Sequence, residues 1–343
     1  MQVGLPLGSF AAAVLVIIPL PAHVRARNVA TIAISLWLFA VNLAQGINTL
    51  AWADNVEVKH VVWCDIATRL FIGSNIALPA ACLALCMHLE RIASARMVQI
   101  TEADKRRRML IDSVLCFGLP AVYMGLYYVV QGHRFDIIEN LGCRPETYVS
   151  IPEFFLIRFP PILLSLATLV YAALTFAHFF RRRATFAKHL QSNSSALTPS
   201  RYFRLMAMAL VEMFWGLLIT ALNTWFSYRD GLRPWISWSN THSDFSRIGQ
   251  FPTVTIPQQT LVMAYFLWWA VPVSAYLFFI FFAFGQDTAQ SYIACWEWIR
   301  RFLPRWMRPR PSNDKVKVLA SLPVFRYAQS SHTASDYSQW PCP

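Results

Sequence analysis

Charge is what this sequence has least of. Only 14% of its 343 residues are Asp, Glu, Lys or Arg, where a soluble globular domain carries about 25%. A chain this poor in charge and 56% hydrophobic cannot clothe a water-facing surface, which excludes an ordinary soluble fold. Catalytic patterns are missing as well. No HExxH zinc motif, P-loop or GxSxG elbow occurs, and His88-Leu89-Glu90 is too sparse for a metal site. Nothing here calls for an enzyme, a cofactor or a bound metal. A cleavable leader is also lacking: no basic stretch precedes the first apolar run, and Arg25 and Arg27 follow it. That order predicts a retained first helix with its N-terminus outside.

What is present is apolar sequence in blocks of about 20 residues, the length a helix needs to cross roughly 30 Å of hydrocarbon. Seven blocks stand out, at Val3–Ala22, Val29–Leu50, Val61–His88, Met109–Val130, Phe154–Phe180, Leu205–Tyr228 and Leu261–Phe284. The longest segment between them, about Arg229–Pro257, is too short to bury a core of its own. The expected fold is therefore an all-α membrane protein, a seven-transmembrane-helix bundle over residues 1–284.

Orientation follows from Lys and Arg. With the N-terminus outside, the inner loops and the tail hold 22 of the 30 basic residues, and the outer loops hold six. That asymmetry is the positive-inside pattern, and it absorbs the net charge of +12 without a nucleic-acid partner. The inner loops are Arg25–Asn28, Arg91–Arg108 and Arg181–Arg204. The third begins Arg181-Arg182-Arg183, ends Arg201-Tyr202-Phe203-Arg204 and contains no acid. Its charge serves anionic lipid of the inner leaflet, a cytoplasmic partner, or both. After the last block, Tyr292, Trp296, Ile299 and Leu303 recur at helical spacing beside Arg300, Arg301 and Arg305, which predicts an amphipathic interfacial helix over residues 285–308. Residues 309–343 read as a disordered cytoplasmic tail.

Polar groups inside a membrane are expensive and point to function or to helix–helix locking. An outer layer holds Asn48, Asp65, Arg69 and Arg158, where a ligand would arrive; Asp65 and Arg69, four apart, can pair on one helix face. Asp112 and Glu212 lie further in and are expected to lock helix ends. Pro160-Pro161 and Pro272 should kink their helices. Of seven cysteines, Cys64 and Cys143 face outwards and form the one plausible disulfide in an oxidising exterior. Cys295 is a candidate for palmitoylation.

Several strings carry a resemblance. They include Leu20-Pro21-Ala22-His23, Val41-Asn42-Leu43, Gly46-Ile47-Asn48 and Trp63-Cys64-Asp65-Ile66-Ala67-Thr68-Arg69. Others are Gln131-Gly132-His133-Arg134-Phe135-Asp136, Gly142-Cys143, Pro160-Pro161 and His242-Ser243-Asp244-Phe245-Ser246-Arg247. In their order along about residues 5–305, the chain resembles the fungal lipopeptide mating-pheromone receptors, the a-factor-receptor type of class D G-protein-coupled receptors, in their mushroom form. The resemblance implies a plasma-membrane receptor for a farnesylated peptide, coupled to a heterotrimeric G protein that drives a mating cascade; a homodimer is left open.

A prenylated peptide pairs an apolar tail with a polar body. Candidate ligand contacts are then the outer layer (Asn48, Asp65, Arg69, Arg158) and aromatics of the third outer loop, Trp235 and Phe245 among them, which would form a lid or simply an interfacial belt. Candidate G-protein contacts are Arg25, Arg27, Arg91, Arg181, Arg182, Arg183 and Arg204. A polytopic transporter or channel is the rival reading; the odd helix count and the absence of an evident internal repeat weigh against it.

Overall fold

The computed structural model describes residues 3–94, 101–192, 199–229 and 231–283. The predicted interfacial helix, the tail with Cys295, and the N-x-S sequon Asn193-Ser194-Ser195 of the third inner loop, which an inner position would leave unglycosylated, lie outside the described residues. Seven helices among the described residues are long and apolar enough to cross a membrane: α1 (Gly4–Arg25), α2 (Val29–Ala51), α3 (Val61–Ala93), α4 (Glu102–Val130), α5 (Ile151–His178), α6 (Tyr202–Tyr228) and α7 (Gln258–Ala283). Each overlaps one of the apolar blocks. The compact unit discussed below is residues 1–279.

One boundary differs from expectation. The helix of α5 continues to Ser192 and the next begins at Pro199, so the expected third inner loop is mostly helix. Hydropathy marks where the membrane ends, and the helix-forming run Ala184 to Gln191 keeps the backbone turning past that point.

Helix α3 is the axis of the bundle. It packs against α2, α4, α5 and α6, and 72% of its apolar window is buried, against 22% for α4 and 28% for α5. The outward faces of α5 and α6 carry Leu163, Leu166, Val170, Phe214 and Leu218, side chains that lipid tails solvate as well as protein does. Close approach of α1 and α2 depends on Gly46, where an added Cβ would stand 2.7 Å from the Phe10 ring.

Prolines free backbone carbonyls inside the bundle, and neighbouring helices answer three of them. Pro120 supplies no N–H to the carbonyl of Cys116, which instead accepts the Trp37 indole N–H at 3.0 Å. Pro161 leaves the Ile157 carbonyl to the Tyr123 hydroxyl at 2.6 Å. Pro272 leaves that of Trp268 to the Gln45 amide at 3.4 Å. Wide π-helical turns at Val114–Gly118 and Phe154–Arg158 precede Pro120 and Pro160, which is how α4 and α5 absorb the ring clash. The fourth case, Pro79 in α3, removes the i+4 donor of the Asn75 carbonyl, and among the described residues no side chain from another helix replaces it.

The outer loops are more ordered than apolar periodicity signals. β1 (Phe135–Ile138) pairs antiparallel with β2 (Gly142–Arg144) and parallel with β3 (Ile248–Phe251) from the third outer loop. The hairpin turns at Asn140, φ 64°, and Gly142, φ 71°, where the left-handed backbone suits Asn and Gly. A disulfide joins Cys143 on β2 to Cys64 on α3, Cα atoms 5.3 Å apart. Asn48 donates to the Cys143 carbonyl at 3.2 Å and accepts from the Trp63 indole at 2.7 Å. Trp52, Phe135 and Ile137 close a fully buried cluster beneath the sheet. Two loops and two helices are thus tied into one cap.

Candidate ligand site

Successive outer turns of α3 place Asp65, Ile66, Arg69 and Leu70 on one face, opposite Met124, Tyr128 and Gln131 at the end of α4. Between them lies a groove of ≈ 670 Å³, closed at one end by Arg134, Phe245 and Ser246 of the loops. That volume suits a small organic ligand or part of a peptide, typically about 300–1,000 Å³. The walls combine apolar side chains (Ile66, Leu70, Met124, Phe245) with the charges of Asp65, Arg69 and Arg134, so the groove offers both kinds of contact.

The charges are paired differently from the sequence expectation. Asp65 does not pair with Arg69. Its carboxylate accepts from Arg134, Nε at 3.0 Å and Nη2 at 2.6 Å, a fork that matches the carboxylate geometry. Arg69 donates to the Gln131 side chain at 2.7 Å and lies 4.9 Å over the Tyr127 ring. The local i,i+4 pairing loses to two loop partners that spacing along one helix cannot reveal. The Asp65 and Arg134 side chains are 40% and 36% exposed, so the pair contributes only about 0–1 kcal/mol and its charges remain open to a ligand.

An aromatic cluster roofs the groove. The Tyr128 ring meets those of Phe245, His242 and Trp238 at 5.1, 5.3 and 5.6 Å, and a His242 ring nitrogen lies 2.9 Å from the Tyr128 carbonyl. Behind it, Arg247 of the third outer loop reaches His133 Nδ1 at 3.0 Å, and His133 Nε2 contacts Asp136 at 2.6 Å. Burial draws the His133 pKa down, but the hydrogen bond and charge of Asp136, with Glu146 beyond it, carry it above its ordinary value. Burial pushes the Glu146 carboxyl up, although it accepts from the backbone N–H groups of Gly132 and His133.

Of the six proposed ligand residues, Asp65, Arg69 and Phe245 line this groove and three do not. Asn48 is fully buried in the cap, held by Cys143 and Trp63. Arg158 is bound to Glu153 at 2.8 Å and to Ser227 at 3.3 Å, a lock between α5 and α6. Trp235 is half-buried away from the groove lining. Tyr128, Gln131 and Arg134 also line the groove; Gln131 and Arg134 belong to the family-like string Gln131–Asp136, and Arg134 is one of few outer basic residues, the two signals in the sequence that point to them. On the inner side Arg25, Arg27, Arg91 and Arg181 are exposed and Arg204 is half-buried; the side chains of Arg182 and Arg183 are outside the described set. Asp112 pairs with Arg108 at 3.8 Å. Glu212 does not sit at a helix end beside basic loops: it faces an internal cavity.

Among the described residues, seven apolar helices, with α3 in contact with four of the others, and a disulfide-stapled cap beside the groove are the build of a multi-pass membrane protein. The family model described as STE3, Pheromone A receptor, matches residues 4–302, and the chain belongs to that family. Similar proteins include the Pheromone B beta 1 receptor of Schizophyllum commune, 51% identical over 83% of this chain and 53% of the relative. Pheromone receptor 1 of Ustilago hordei is 34% identical over 84% of this chain and 81% of the relative. The Pheromone a factor receptor of Saccharomyces cerevisiae is 24% identical over 90% and 65%. The chain spans about half the length of the Schizophyllum commune receptors it matches.

Proposed function

We propose that this chain is a plasma-membrane G-protein-coupled receptor for a farnesylated peptide pheromone, coupled to a heterotrimeric G protein. The observation that carries the reading is the groove between α3 and α4, which brings apolar walls together with the charges of Asp65, Arg69 and Arg134 under the rings of Tyr128 and Phe245. A lipidated peptide has the same polarity, with the isoprenoid matching Ile66, Leu70 and Met124 and the peptide body meeting Asp65, Arg69 and Arg134. Ile66 is 51% exposed, so the groove lies open beside an apolar surface from which a membrane-dissolved lipid can enter.

On the opposite face, Arg25, Arg27, Arg91, Arg181 to Arg183 and Arg204 would meet the G protein, the charges orienting it and outward motion of α5 and α6 admitting its C-terminal helix. The experiment is expression in a yeast pheromone-reporter strain challenged with a panel of synthetic farnesylated peptides, with surface level measured alongside. At least one peptide should trigger the reporter, and reversal of Arg181-Arg182-Arg183 to Glu should abolish the response at equal surface level. Normal signalling by the reversed variant would place the dock elsewhere.

A further inference from the structure

A second, internal cavity of ≈ 110 Å³ lies among α3, α5, α6 and α7, and Glu212 of α6 faces it. Glu212 is 7% exposed and its Oε1 has no hydrogen-bond partner among the described residues, and Ser274 of α7 lines the same cavity. No Lys, Arg or His lines the cavity among the described residues. Cys82 of α3 is the one other titratable group there. An unpaired carboxylate inside a membrane protein costs several kcal/mol, so its charge must be removed by a proton or balanced by a cation.

The remaining walls favour the cation. Ser74 already donates its hydroxyl proton to the Phe71 carbonyl at 2.8 Å, Ser165 to that of Pro161 at 2.8 Å, and Thr168 to that of Leu164 at 2.8 Å. A hydroxyl whose proton is so committed presents only lone pairs. Asn75 and Pro79 of α3 line the same cavity. Three hydroxyl oxygens with committed protons and a carboxylate bring oxygen lone pairs to one cavity, the ligand chemistry that hard cations select. The space exceeds one water, which needs about 10–15 Å³ on this measure, so an ion can keep part of its hydration. One carboxylate balances one positive charge. We propose that the cavity around Glu212 binds a hydrated monovalent cation, sodium in size and charge, and that this ion ties α6 to α3, α5 and α7.

The test is independent of any pheromone. The purified full chain in nanodiscs is melted at fixed ionic strength in sodium chloride or in N-methyl-D-glucamine chloride, whose cation is too large for the cavity. Wild type should melt higher in sodium, by ~3 °C or more once sodium exceeds its Kd tenfold, and Glu212→Gln should melt alike in both. Equal melting of wild type in the two salts, or an equal sodium shift in Glu212→Gln, would overturn the proposal. Should Glu212→Gln not fold, wild type alone decides. Protons and sodium compete for one carboxylate, so the sodium concentration at half-maximal stabilisation must rise as pH falls; a pH-independent midpoint contradicts the site.

Discussion

Removing Arg158 should destabilise the protein rather than retune its ligand preference. The Glu153 carboxylate is fully buried; it accepts from Arg158 Nε at 2.8 Å and from the Tyr228 hydroxyl at 2.5 Å. Arg158 is itself 8% exposed. Breaking a buried pair by deleting one partner costs about 3–5 kcal/mol, because the remaining charge stays desolvated. Arg158→Leu should therefore lose about that amount, and at about 2–4 °C per kcal/mol the melting temperature should fall by roughly 6 °C or more. Glu153→Gln combined with Arg158→Leu leaves no charge and keeps an acceptor for Tyr228, so the double variant should recover most of the loss. Tyr228→Phe should cost about 1.5–3 kcal/mol, the range for a hydrogen bond to a charged group. Thermal unfolding of the four purified proteins, with reporter responses to several peptides in parallel, separates the possibilities. Arg158→Leu with wild-type stability and a reordered peptide ranking would show that Arg158 reads the ligand and that the lock is wrongly assigned.

Three further outcomes follow from the cap and the groove. Cys64→Ser or Cys143→Ser opens a link spanning 79 residues; α3 and α4 are already held by the membrane, so the loop actually freed is closer to the 13 residues that follow Val130 up to Cys143 and the loss should be about 3 kcal/mol rather than about 4.5, read as reduced melting temperature and surface level. Asp65→Arg and Arg134→Asp should each alter peptide ranking with little change in stability, since the exposed pair contributes at most about 1 kcal/mol, and the double swap should restore part of the original ranking; unchanged ranking in both single variants would move the peptide body off this groove. His133 has a raised pKa through Asp136 and Glu146, so its stabilising contribution is complete below its unfolded value of about 6.5 and is lost as pH rises through the higher folded value. Hydrogen exchange corrected for intrinsic rates should show residues 132–138 less protected at pH 8.5 than at pH 6, a difference that His133→Gln removes; pH-independent protection in wild type would count against a stabilising His133–Asp136 ion pair.

The seven helices were legible because membrane insertion reduces to length, apolarity and the placement of Lys and Arg, all local properties of a sequence. The cap was not. β1 and β3 join residues more than 100 positions apart, and four-residue strands such as Phe135–Ile138 carry no periodicity long enough to read. The groove was half legible for the same reason. Asp65 and Arg69 announce themselves as charges within an apolar run, but their partners Arg134 and Gln131 come from the following loop, and only the fold shows that Arg158 turns to Glu153. Glu212 was visible as an intramembrane acid; that Pro79 of α3 and the hydroxyls of Ser165 and Thr168 on α5 line the cavity it faces was not.

The most direct measurement is equilibrium binding of one cognate peptide, with and without its farnesyl group, to the purified chain in nanodiscs. Fifteen isoprenoid carbons at roughly 0.8 kcal/mol each set an upper bound of about 12 kcal/mol, much of it already gained by partitioning into lipid. Retaining even a quarter of that in the groove gives a preference of at least ~100-fold, and Leu70→Asp in the groove wall should erase most of it while leaving the unfarnesylated peptide unaffected. Equal affinity for the two peptides, or a farnesyl preference that Leu70→Asp leaves intact, would contradict a lipopeptide site between α3 and α4.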